Sequence, residues 1–563
     1  MKIYRISFFL IFITLSYGAH RAPVEAENGM VVSASSLASQ SGVDIMKKGG
    51  NAVDAAVATG FALAVTHPQA GNIGGGGFMV IHTADGKSHT IDFREKAPLQ
   101  AHHDMYLDDS SQVIPDLSLF SHLAAGVPGS VHGLLTAWKL YGSGNISRNE
   151  ILAPAIQLAQ RGFILSTGMA AYLNYFRDFF QKDDGARRVF IRTDNKPWKS
   201  GDRFKQPELA NTLRRIARNG ITGFYGGKTA DLIVAEMEEG QGMISRDDLA
   251  LYESKERPPV IGTFRDYEII SMGPPSSGGA LLIQLFNMLE HYPLDTLGWN
   301  SSEYIHILTE CERLAYADRA EHMGDADFWD VPLDMLIDKD YAAERIQLIS
   351  TEHATPSAHI LAGNPTAYES RETTHYSVID AQGNAVSVTT TLNTSFGCGV
   401  LVEGAGFFLN NEMDDFSVKP GVPNVFGLIG KEANAIEPEK RPLSSMTPTI
   451  ILKDGKPFMV IGSPGGSTII TTTMQCILNV VVHGMNIQQA VSVPRVHSQW
   501  LPDVIMTEPF GLAKDVRRNL EARGHKIIPY RWGHIGQANG ILLQDGMIYG
   551  GADERGENTA IGY

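Results

Sequence analysis

Thr373-Thr374-His375-Tyr376-Ser377-Val378 and the later run that ends Thr389-Thr390-Thr391-Leu392-Asn393 together form the most informative segment of the chain. Between the two runs lies Asp380-Ala381-Gln382-Gly383-Asn384, whose composition is typical of a turn, so the segment predicts a β-hairpin. Strand side chains alternate between two faces, which predicts a shared polar face on each strand. These faces comprise Thr373, His375 and Ser377 on the first strand, and Ser387, Thr389, Thr391 and Asn393 on the second.

A backbone cut before Thr373 would give this residue two chemical groups at once. Its hydroxyl is a weak nucleophile until a neighbouring base removes the proton, and a newly freed α-amine can act as that base. An α-amine titrates near about 7.7–8.0, which suits catalysis at neutral pH. The alternative for the same residues is an ordinary strand rich in β-branched side chains. On the hairpin alone, both interpretations remain open, and Thr374 is a second candidate for the new terminus.

Composition indicates a soluble globular protein that does not bind polyanions. The chain has 563 residues, of which 43% are hydrophobic and 19% charged, and its formal net charge is −15. This charge disfavours nucleic acids and anionic membranes as partners. An anionic substrate would therefore need a local cluster of positive charge.

The N-terminus predicts export. Lys2 and Arg5 precede the apolar run Ile6–Leu15, and Tyr17-Gly18-Ala19 offers small residues for cleavage, so residues 1–19 are expected to be a removed signal peptide. The apolar run is shorter than the roughly 20 residues that span a bilayer, so an uncleaved anchor and stable membrane insertion are not favoured. We expect the protein to be periplasmic in a Gram-negative bacterium and secreted otherwise.

Several further elements can be assigned by pattern. The run Gly74–Gly77 lacks the residues of a phosphate-binding loop and indicates close backbone packing. The adjacent histidines His102 and His103 cannot share one face of a helix or strand, so no metal site is expected there. The cysteines are odd in number and far apart, which favours buried free thiols; they are Cys311, Cys398 and Cys476. Helices are predicted at 51–66, 129–141, 151–161, 278–291 and 303–319, and strands at 78–82 and 88–93.

Blocks of sequence spread along most of the chain resemble the γ-glutamyltranspeptidases, members of the N-terminal-nucleophile hydrolase superfamily. The resemblance runs from about residue 28 to the C-terminus, and the blocks occur in the order typical of that family. They are 92–95 (DFRE), 125–129 (AGVPG), 273–279 (GPPSSGG), 373–397, 410–416 (NNEMDDF), 441–446 (RPLSSM) and 462–466 (GSPGG).

This resemblance implies an α+β fold, a four-layer αββα sandwich built from two interleaved fragments of one precursor. Thr373, which the motif selects over Thr374, would attack the carbonyl of Glu372, and water would cleave the resulting ester. Residues 20–372 would then form a large subunit and residues 373–563 a small one, together a heterodimer. No metal or organic cofactor is implied.

The resemblance also assigns roles to individual residues. Thr373 and Thr391 would be catalytic. Gly465 and Gly466, which the sequence places at a strand-to-helix turn with free amides, would form the oxyanion hole. The substrate α-carboxylate would contact Arg94, Ser444 and Ser445, and its α-amine would contact Asn393, Glu412 and Asp415. The simpler alternatives are an ion pair of Arg94 with Glu95 or Asp92, polar loop serines and a solvated acidic patch; His375 is interpreted as structural.

One departure from the family pattern concerns the loop Pro420–Gly430. Bacterial members often cover the site with a loop whose tyrosine bonds the asparagine that corresponds to Asn393. Phe426 occupies that position here. A phenylalanine side chain can cover a pocket but has no hydroxyl to donate, so the latch is expected to differ.

The function implied is that of an exported γ-glutamyltransferase and glutathione hydrolase. Thr373 would take the γ-glutamyl group of glutathione or a related γ-glutamyl compound and pass it to water, an amino acid or a dipeptide. The alternatives are a cephalosporin or glutaryl amidase on the same scaffold, which binds an acyl chain without the α-amine, and a non-catalytic secreted homologue. The presence of Glu412 and Asp415 disfavours the first alternative, and the intact Thr373 set disfavours the second.

Overall fold

A computed structural model describes residues 21–360, 373–425 and 427–563. The expected signal peptide (1–19), the expected cleavage residue Glu372 and the lid residue Phe426 lie outside these residues.

Two antiparallel sheets form the centre of the molecule. Sheet I contains, in spatial order, β1 (Val24–Ala26), β18 (Met547–Ala552), β17 (Asn539–Gln544), β13 (Lys456–Gly462), β12 (Thr449–Lys453), β9 (Tyr267–Ser271) and β8 (Val260–Phe264). Sheet II contains β19 (Thr559–Gly562), β2 (Gly29–Ser33), β10 (Thr373–Asp380), β11 (Ala385–Thr391), β3 (Gly76–His82), β4 (Ser88–Asp92) and β7 (Lys255–Arg257). Smaller sheets pair β5 (Phe163–Ile164) with β6 (Arg203–Phe204), and β14 (Val496–His497) with β15 (Ile505–Thr507) and β16 (Ile527–Pro529).

The α-helices fall before, between and after these strands. The helices that precede residue 373 are α1 (Ser36–Lys47), α2 (Ala52–Thr66), α3 (Ser130–Tyr141), α4 (Arg148–Arg161), α5 (Thr167–Tyr175), α6 (Arg177–Phe180), α7 (Asp184–Phe190), α8 (Pro207–Asn219), α9 (Thr222–Tyr225), α10 (Gly227–Glu239), α11 (Arg246–Leu251), α12 (Gly278–Leu289), α13 (Leu294–Leu297), α14 (Ser302–His322), α15 (Leu333–Leu336) and α16 (Lys339–Arg345). Those that follow it are α17 (Thr468–Val481), α18 (Ile487–Ser492) and α19 (Lys514–Ala522).

Three apolar layers hold these elements together. One lies between sheet II and the helices α1–α4, a second lies between sheet I and α12, α14 and α17, and a third lies between the two sheets. Adjacent residues of one strand serve different layers because strand side chains alternate: Val31 packs against the helices, whereas Val32 packs against sheet I. The order helix, sheet, sheet, helix confirms the predicted αββα sandwich.

The predicted hairpin is present as β10 and β11, the middle strands of sheet II. Val386 and Val388 face the helices, and the polar face is directed at sheet I. On that face, Ser387 Oγ donates to the Ile461 carbonyl at 3.2 Å and accepts from the Thr449 amide at 2.9 Å. The polar residues are thus enclosed between two sheets, where each must find a hydrogen-bond partner.

In both sheets, strands that precede residue 373 in the sequence pair with strands that follow it. In sheet II, β10 pairs with β2 and β11 pairs with β3, while β19 pairs with the other edge of β2. In sheet I, β1 pairs with β18 and β9 pairs with β12. Neither part of the chain could form its sheets without the other.

The helices expected from the sequence are present at nearly the predicted positions. The Gly74–Gly77 run packs as predicted, because a Cβ on Gly74 or Gly77 would collide with a backbone carbonyl of another segment. Cys311, Cys398 and Cys476 are free and buried, as expected. Within residues 21–360, 373–425 and 427–563, no helix is at once long and apolar enough to cross a membrane.

Candidate active site

Thr373 begins β10 directly opposite Thr391, the last residue of β11. The Thr373 hydroxyl donates to the Thr391 hydroxyl at 3.4 Å, and both residues are buried. The Thr391 oxygen also accepts the amide of Asn393 at 2.7 Å. This pattern directs the Thr373 proton towards a neighbouring oxygen and holds the predicted nucleophile at the end of the layer between the sheets.

Asn393 reaches the site by a route different from the one predicted. We expected it to continue the alternation of the strand, but β11 ends at Thr391 and Asn393 has a φ of +74°. Asparagine tolerates this left-handed conformation better than most residues. Its side-chain amide donates to the Asn411 carbonyl at 2.9 Å. The turn, not the strand pleat, therefore brings Asn393 to the cavity beside Thr391.

A small cavity lies beside Thr373, which is one of its lining residues. It brings together nine of the predicted residues from five separate blocks of sequence and adds four that were not predicted. The predicted ones are Thr373, Thr391, Asn393, Arg94, Glu412, Asp415, Ser444, Ser445 and Gly466; the others are Arg319, Leu428, Met446 and Ile469.

Arg94 is fully buried and forms ion pairs with both acidic residues of the cavity. Its Nη1 lies 2.5 Å from Glu412 and its Nη2 lies 2.5 Å from Asp415, while Nε donates to the Pro442 carbonyl at 3.1 Å. Of the two simpler partners considered, Glu95 lies further away at 3.6 Å, and Asp92 pairs instead with Arg257 and Arg441. The cation and the acceptors that the sequence assigns to opposite ends of a ligand are thus bound to each other.

Burial dominates the electrostatics of this cluster. It raises the pKa of Glu412 and of Asp415, and the Arg94 guanidinium opposes that rise. Burial also raises the pKa of Glu95 to about 8, again against the effect of Arg94. Burial lowers the pKa of Arg94, but the surrounding carboxylates shift it upward overall. Charges desolvated in this way interact strongly with any ion that enters.

The serines of the cavity are held by an arginine that sequence reasoning missed. Arg319 Nη2 donates to Ser445 Oγ at 3.2 Å, and its Nε donates to Ser277 Oγ at 2.9 Å. Ser277 Oγ in turn donates to the Ser444 carbonyl at 2.8 Å. The sequence shows only that Arg319 is one of several charged residues in the predicted helix 303–319. Periodicity alone does not show which of them faces a cavity.

Gly465 and Gly466 lie between β13 and α17, as predicted. Their φ angles are +135° and +55°, which favour glycine. Within the part of the chain that the structure describes, neither amide donates a hydrogen bond, and α17 has no side-chain N-cap. Gly466 lines the cavity. Gly466 therefore presents an unused N–H group in the same cavity as Thr373, near the positive end of a helix dipole, whereas Gly465 is not among the lining residues.

His375 lies two residues from Thr373 but belongs to the structural layer. Its Nδ1 lies 2.9 Å from Thr389 Oγ1 and its Nε2 lies 3.0 Å from Ser377 Oγ. Burial lowers the pKa of His375 to about 3. A ring enclosed in this way supports the interpretation of His375 as a structural residue.

Two residues of the loop 420–430 donate hydrogen bonds to the aspartates that follow Glu412. The Val425 amide donates to Asp414 at 2.9 Å, and the Asn424 side chain donates to Asp415 at 3.1 Å. Leu428 lines the cavity. The loop therefore borders the site where a lid was expected.

Comparisons with known proteins agree with this geometry. The model of the γ-glutamyltranspeptidase family matches residues 38–563. The glutathione hydrolase proenzyme of Escherichia coli is 46% identical over 98% of this chain and 95% of its own length.

Two solved structures are also similar. The cephalosporin acylase of Bacillus halodurans is 26% identical, has a TM-score of 0.86, and is matched over 99% of both chains. A γ-glutamyltranspeptidase chain of Helicobacter pylori is 45% identical with a TM-score of 0.58, and the match covers 62% of this chain and 97% of that one. The fold, the cavity around Thr373 and these similarities lead to one conclusion: this chain belongs to the γ-glutamyltranspeptidase family.

Proposed function

We propose that the chain is an inactive precursor that cleaves itself between Glu372 and Thr373. The Thr373 hydroxyl oxygen attacks the Glu372 carbonyl carbon, and the C–N bond breaks as the nitrogen takes a proton, which leaves an ester. The Thr373 amine is freed in this first step; water then hydrolyses the ester, which restores the Thr373 hydroxyl and leaves Glu372 with a new C-terminal carboxylate. The precursor cannot act on a substrate in the same way, because its Thr373 nitrogen is an amide and cannot accept a proton.

The mature enzyme transfers γ-glutamyl groups through the same hydroxyl. The Thr373 oxygen attacks the γ-carbonyl carbon while the free amine takes the hydroxyl proton, and that proton then passes to the departing nitrogen. The Gly465 and Gly466 amides stabilise the oxyanion. Water or the amine of an amino acid or dipeptide then attacks the γ-glutamyl ester. Glutathione is the proposed donor, and its cysteinylglycine part leaves first.

The ion pairs of Arg94 explain how the cavity selects the head of the γ-glutamyl group. This head is a zwitterion with an α-ammonium and an α-carboxylate. Its ammonium replaces Arg94 as partner of Glu412 and Asp415, with Asn393 as a further acceptor. Its carboxylate takes the donors of Arg94, Ser444 and Ser445. Each buried charge of the cavity thus changes its partner without being left unpaired, which avoids the free-energy cost of a lone buried ion.

One observation carries this proposal: a single cavity contains the Thr373–Thr391 pair, the Arg94 ion pairs and Gly466. The Helicobacter pylori chain supports the two-subunit form. It is matched almost completely while covering 62% of this chain, a share close to that of residues 20–372. We further propose export of the mature protein, on the basis of the expected signal peptide.

Maturation and activity can be tested together in the purified protein. Wild type should show two bands on a denaturing gel, the smaller beginning at Thr373 by N-terminal sequencing, and should release anilide from γ-glutamyl-anilide. Thr373→Ala should stay as one band without activity, because both nucleophile and terminus are lost. The matched control is Thr374→Ala, whose side chain lies on the other face of the strand and which should be cleaved normally. A fragment that begins at Thr374, or cleavage of Thr373→Ala, would refute the proposal.

The second candidate is an acylase for cephalosporins or glutaryl amides, which the similarity to the Bacillus halodurans enzyme favours. A glutaryl group lacks the α-amine, so it offers no partner to Glu412 and Asp415. Glu412 is buried and the Asp415 side chain is only 11% exposed, which favours a ligand that carries an ammonium group. Comparing release from γ-glutamyl-anilide and glutaryl-anilide separates the two candidates; a higher kcat/KM for the glutaryl compound would select the acylase.

A further inference from the structure

α14 contributes a second buried cation to the cavity. Arg319 lies in the last turn of the helix, is 4% exposed, and lines the cavity together with Thr373, Asp415 and Ser445. Burial lowers the pKa of Arg319 to about 10, so the guanidinium remains charged at neutral pH. None of the roles assigned above to the γ-glutamyl group uses this charge.

Arg319 differs from the other buried arginines in its partners. Arg94, Arg313 and Arg495 each lie within 3 Å of a carboxylate. Across residues 21–360, 373–425 and 427–563, no carboxylate lies within 4.0 Å of the Arg319 guanidinium, and its Nη1 makes no hydrogen bond. A buried charge without a counter-ion is costly. An anion that enters the cavity would remove that cost.

Two serines link Arg319 to the predicted carboxylate donors. Because Ser445 Oγ accepts from Arg319, its own proton is left to donate to another group. Ser277 accepts from Arg319 and fixes the Ser444 carbonyl through both its hydroxyl and its amide, each at 2.8 Å. Arg319 therefore holds the Ser444–Ser445 segment in place and directs one hydroxyl away from itself.

We propose that Arg319 determines specificity for the carboxylate of the substrate: it supplies the unpaired positive charge that this group needs and turns the Ser445 hydroxyl onto it. This role rests on the proposed γ-glutamyl function. Arg94 can donate to the carboxylate only after the substrate ammonium has replaced it on Glu412 and Asp415, whereas Arg319 has no such ion pair to give up. The two carboxylates and two guanidiniums of the cavity sum to zero charge, which is complementary to a zwitterion.

Three anilides that share one acyl chain test this role. γ-Glutamyl-anilide carries both the carboxylate and the amine, glutaryl-anilide carries only the carboxylate, and 4-aminobutyryl-anilide carries only the amine. Arg319→Gln should lower kcat/KM at least ~30-fold for the first two, mainly through KM, and leave the third unchanged, because only the first two lose a charge partner. Arg319→Lys should recover part of the loss, because it restores the charge without the planar fork.

The control is Arg345, the last residue of α16, which contacts the residue next to Arg319 on α14. Arg345→Gln removes the partner of Asp318, the residue that precedes Arg319, at 2.7 Å. It should leave the ratio of the three rates as in wild type. An equal loss on all three anilides in Arg319→Gln, or an unchanged KM for γ-glutamyl-anilide in a normally cleaved variant, overturns the role of Arg319.

The proposed function and the role of Arg319 fail separately. If wild type acts on glutaryl-anilide and not on γ-glutamyl-anilide, the γ-glutamyl function is wrong. The effect of Arg319→Gln on glutaryl-anilide and on 4-aminobutyryl-anilide then still decides whether Arg319 binds the carboxylate, because the first compound has that group, the second lacks it, and the reacting bond is the same in both. Cleavage into two fragments reports that Arg319→Gln has folded.

Discussion

At the scale of single residues, the site is defined by charges that neutralise one another before any substrate arrives. Arg94 binds Glu412 and Asp415, and at most 11% of any of the three side chains is exposed. Hydrogen bonds to such groups are strong, but exchanging one partner for another of the same charge costs little. A zwitterionic ligand can make that exchange, whereas an uncharged ligand or one with a single charge leaves a residue unpaired. Selectivity for an amino-acid head follows from this balance.

Removing one of these charges should change selectivity more than overall activity. In Asp415→Asn the α-ammonium loses an ionised acceptor, so kcat/KM for γ-glutamyl-anilide should fall by at least ~30-fold. Glutaryl-anilide, which has no ammonium group, should be affected far less. The measurement is the ratio of kcat/KM for the two anilides.

The neighbouring carboxylate provides a matched control for Asp415. Asp414 accepts from the Ser118 hydroxyl at 2.6 Å and from the Val425 amide, and it does not line the cavity. Asp414→Asn should keep the wild-type ratio of the two anilides. Equal ratios in wild type and Asp415→Asn would remove Asp415 from ammonium recognition.

His375 should make the folded protein sensitive to acid. Burial holds its pKa at about 3, whereas the unfolded value is about 6.5. Between these values the unfolded chain binds a proton that the folded protein does not. Its contribution to stability is therefore fully present above about pH 6.5 and is lost as the pH falls towards 3, at about 1.4 kcal/mol per pH unit.

The variant His375→Asn isolates this effect. The free energy of unfolding should be lower in the variant at pH 7, and the difference from wild type should shrink by about 1.4 kcal/mol between pH 6 and pH 5. Urea unfolding at several pH values measures it. Parallel pH curves for the two proteins would show that His375 is not held neutral by burial.

At the scale of elements, the turn from β13 into α17 is the part most constrained by backbone geometry. Gly465 has a φ of +135°, and a Cβ at this position would collide with Oγ1 of Thr468, the first residue of the helix. The turn places the unused Gly466 amide in the same cavity as Thr373, the first residue of β10. If the proposed oxyanion hole is correct, the geometry of this turn sets where it lies.

Gly465→Ala should therefore impair catalysis without unfolding the protein. Misplacing one oxyanion donor is expected to lower kcat by about 10²–10³, with a smaller change in KM because the cavity that binds the head of the substrate remains. The same loss should slow precursor cleavage, which passes through a similar oxyanion. Both rates can be followed on one preparation, by gel and by anilide release.

The control for Gly465 is a glycine that also has a positive φ but lies beyond the C-terminal end of α17. Gly484 has a φ of +65° and open space around its Cα. Gly484→Ala should cost some stability but leave kcat unchanged. A Gly465→Ala enzyme as active as Gly484→Ala would exclude the turn as the oxyanion hole.

At the scale of the whole molecule, the parts of the chain before and after residue 373 each contribute strands to both central sheets. Ion pairs also cross between them, such as Arg313 to Asp503 at 2.9 Å and Arg441 to Asp92 at 3.3 Å. Separating the parts would break the ladders of both central sheets and expose the apolar layer between them. The proposed cleavage before Thr373 would therefore remove a covalent link but not the fold.

The cleaved protein should behave as one particle in solution. Wild type should give two bands on a denaturing gel yet elute from gel filtration at the volume of uncleaved Thr373→Ala, and it should stay associated on dilution because both sheets need both fragments. Separate elution of the fragments without denaturant would contradict the interleaved architecture.

Much of the fold was predictable because it rests on local patterns. The alternation around Asp380–Asn384 predicts the hairpin, and the apolar run of 51–66 predicts a buried helix; both are present. Asn393 shows where such reasoning fails. Its position depends on a left-handed turn after Thr391, and backbone conformations of single residues are not visible in side-chain periodicity.

Residue types at short, fixed spacings were enough to predict the hairpin, the candidate nucleophile Thr373 and the family. The tertiary structure alone decided which charges meet: Arg94 with Glu412 and Asp415 across more than 300 residues of chain, and Arg319 with Ser445. Ion pairs act through space, and their strength depends on burial. The local order of residues gives neither the distance between two charged groups nor the extent of their burial.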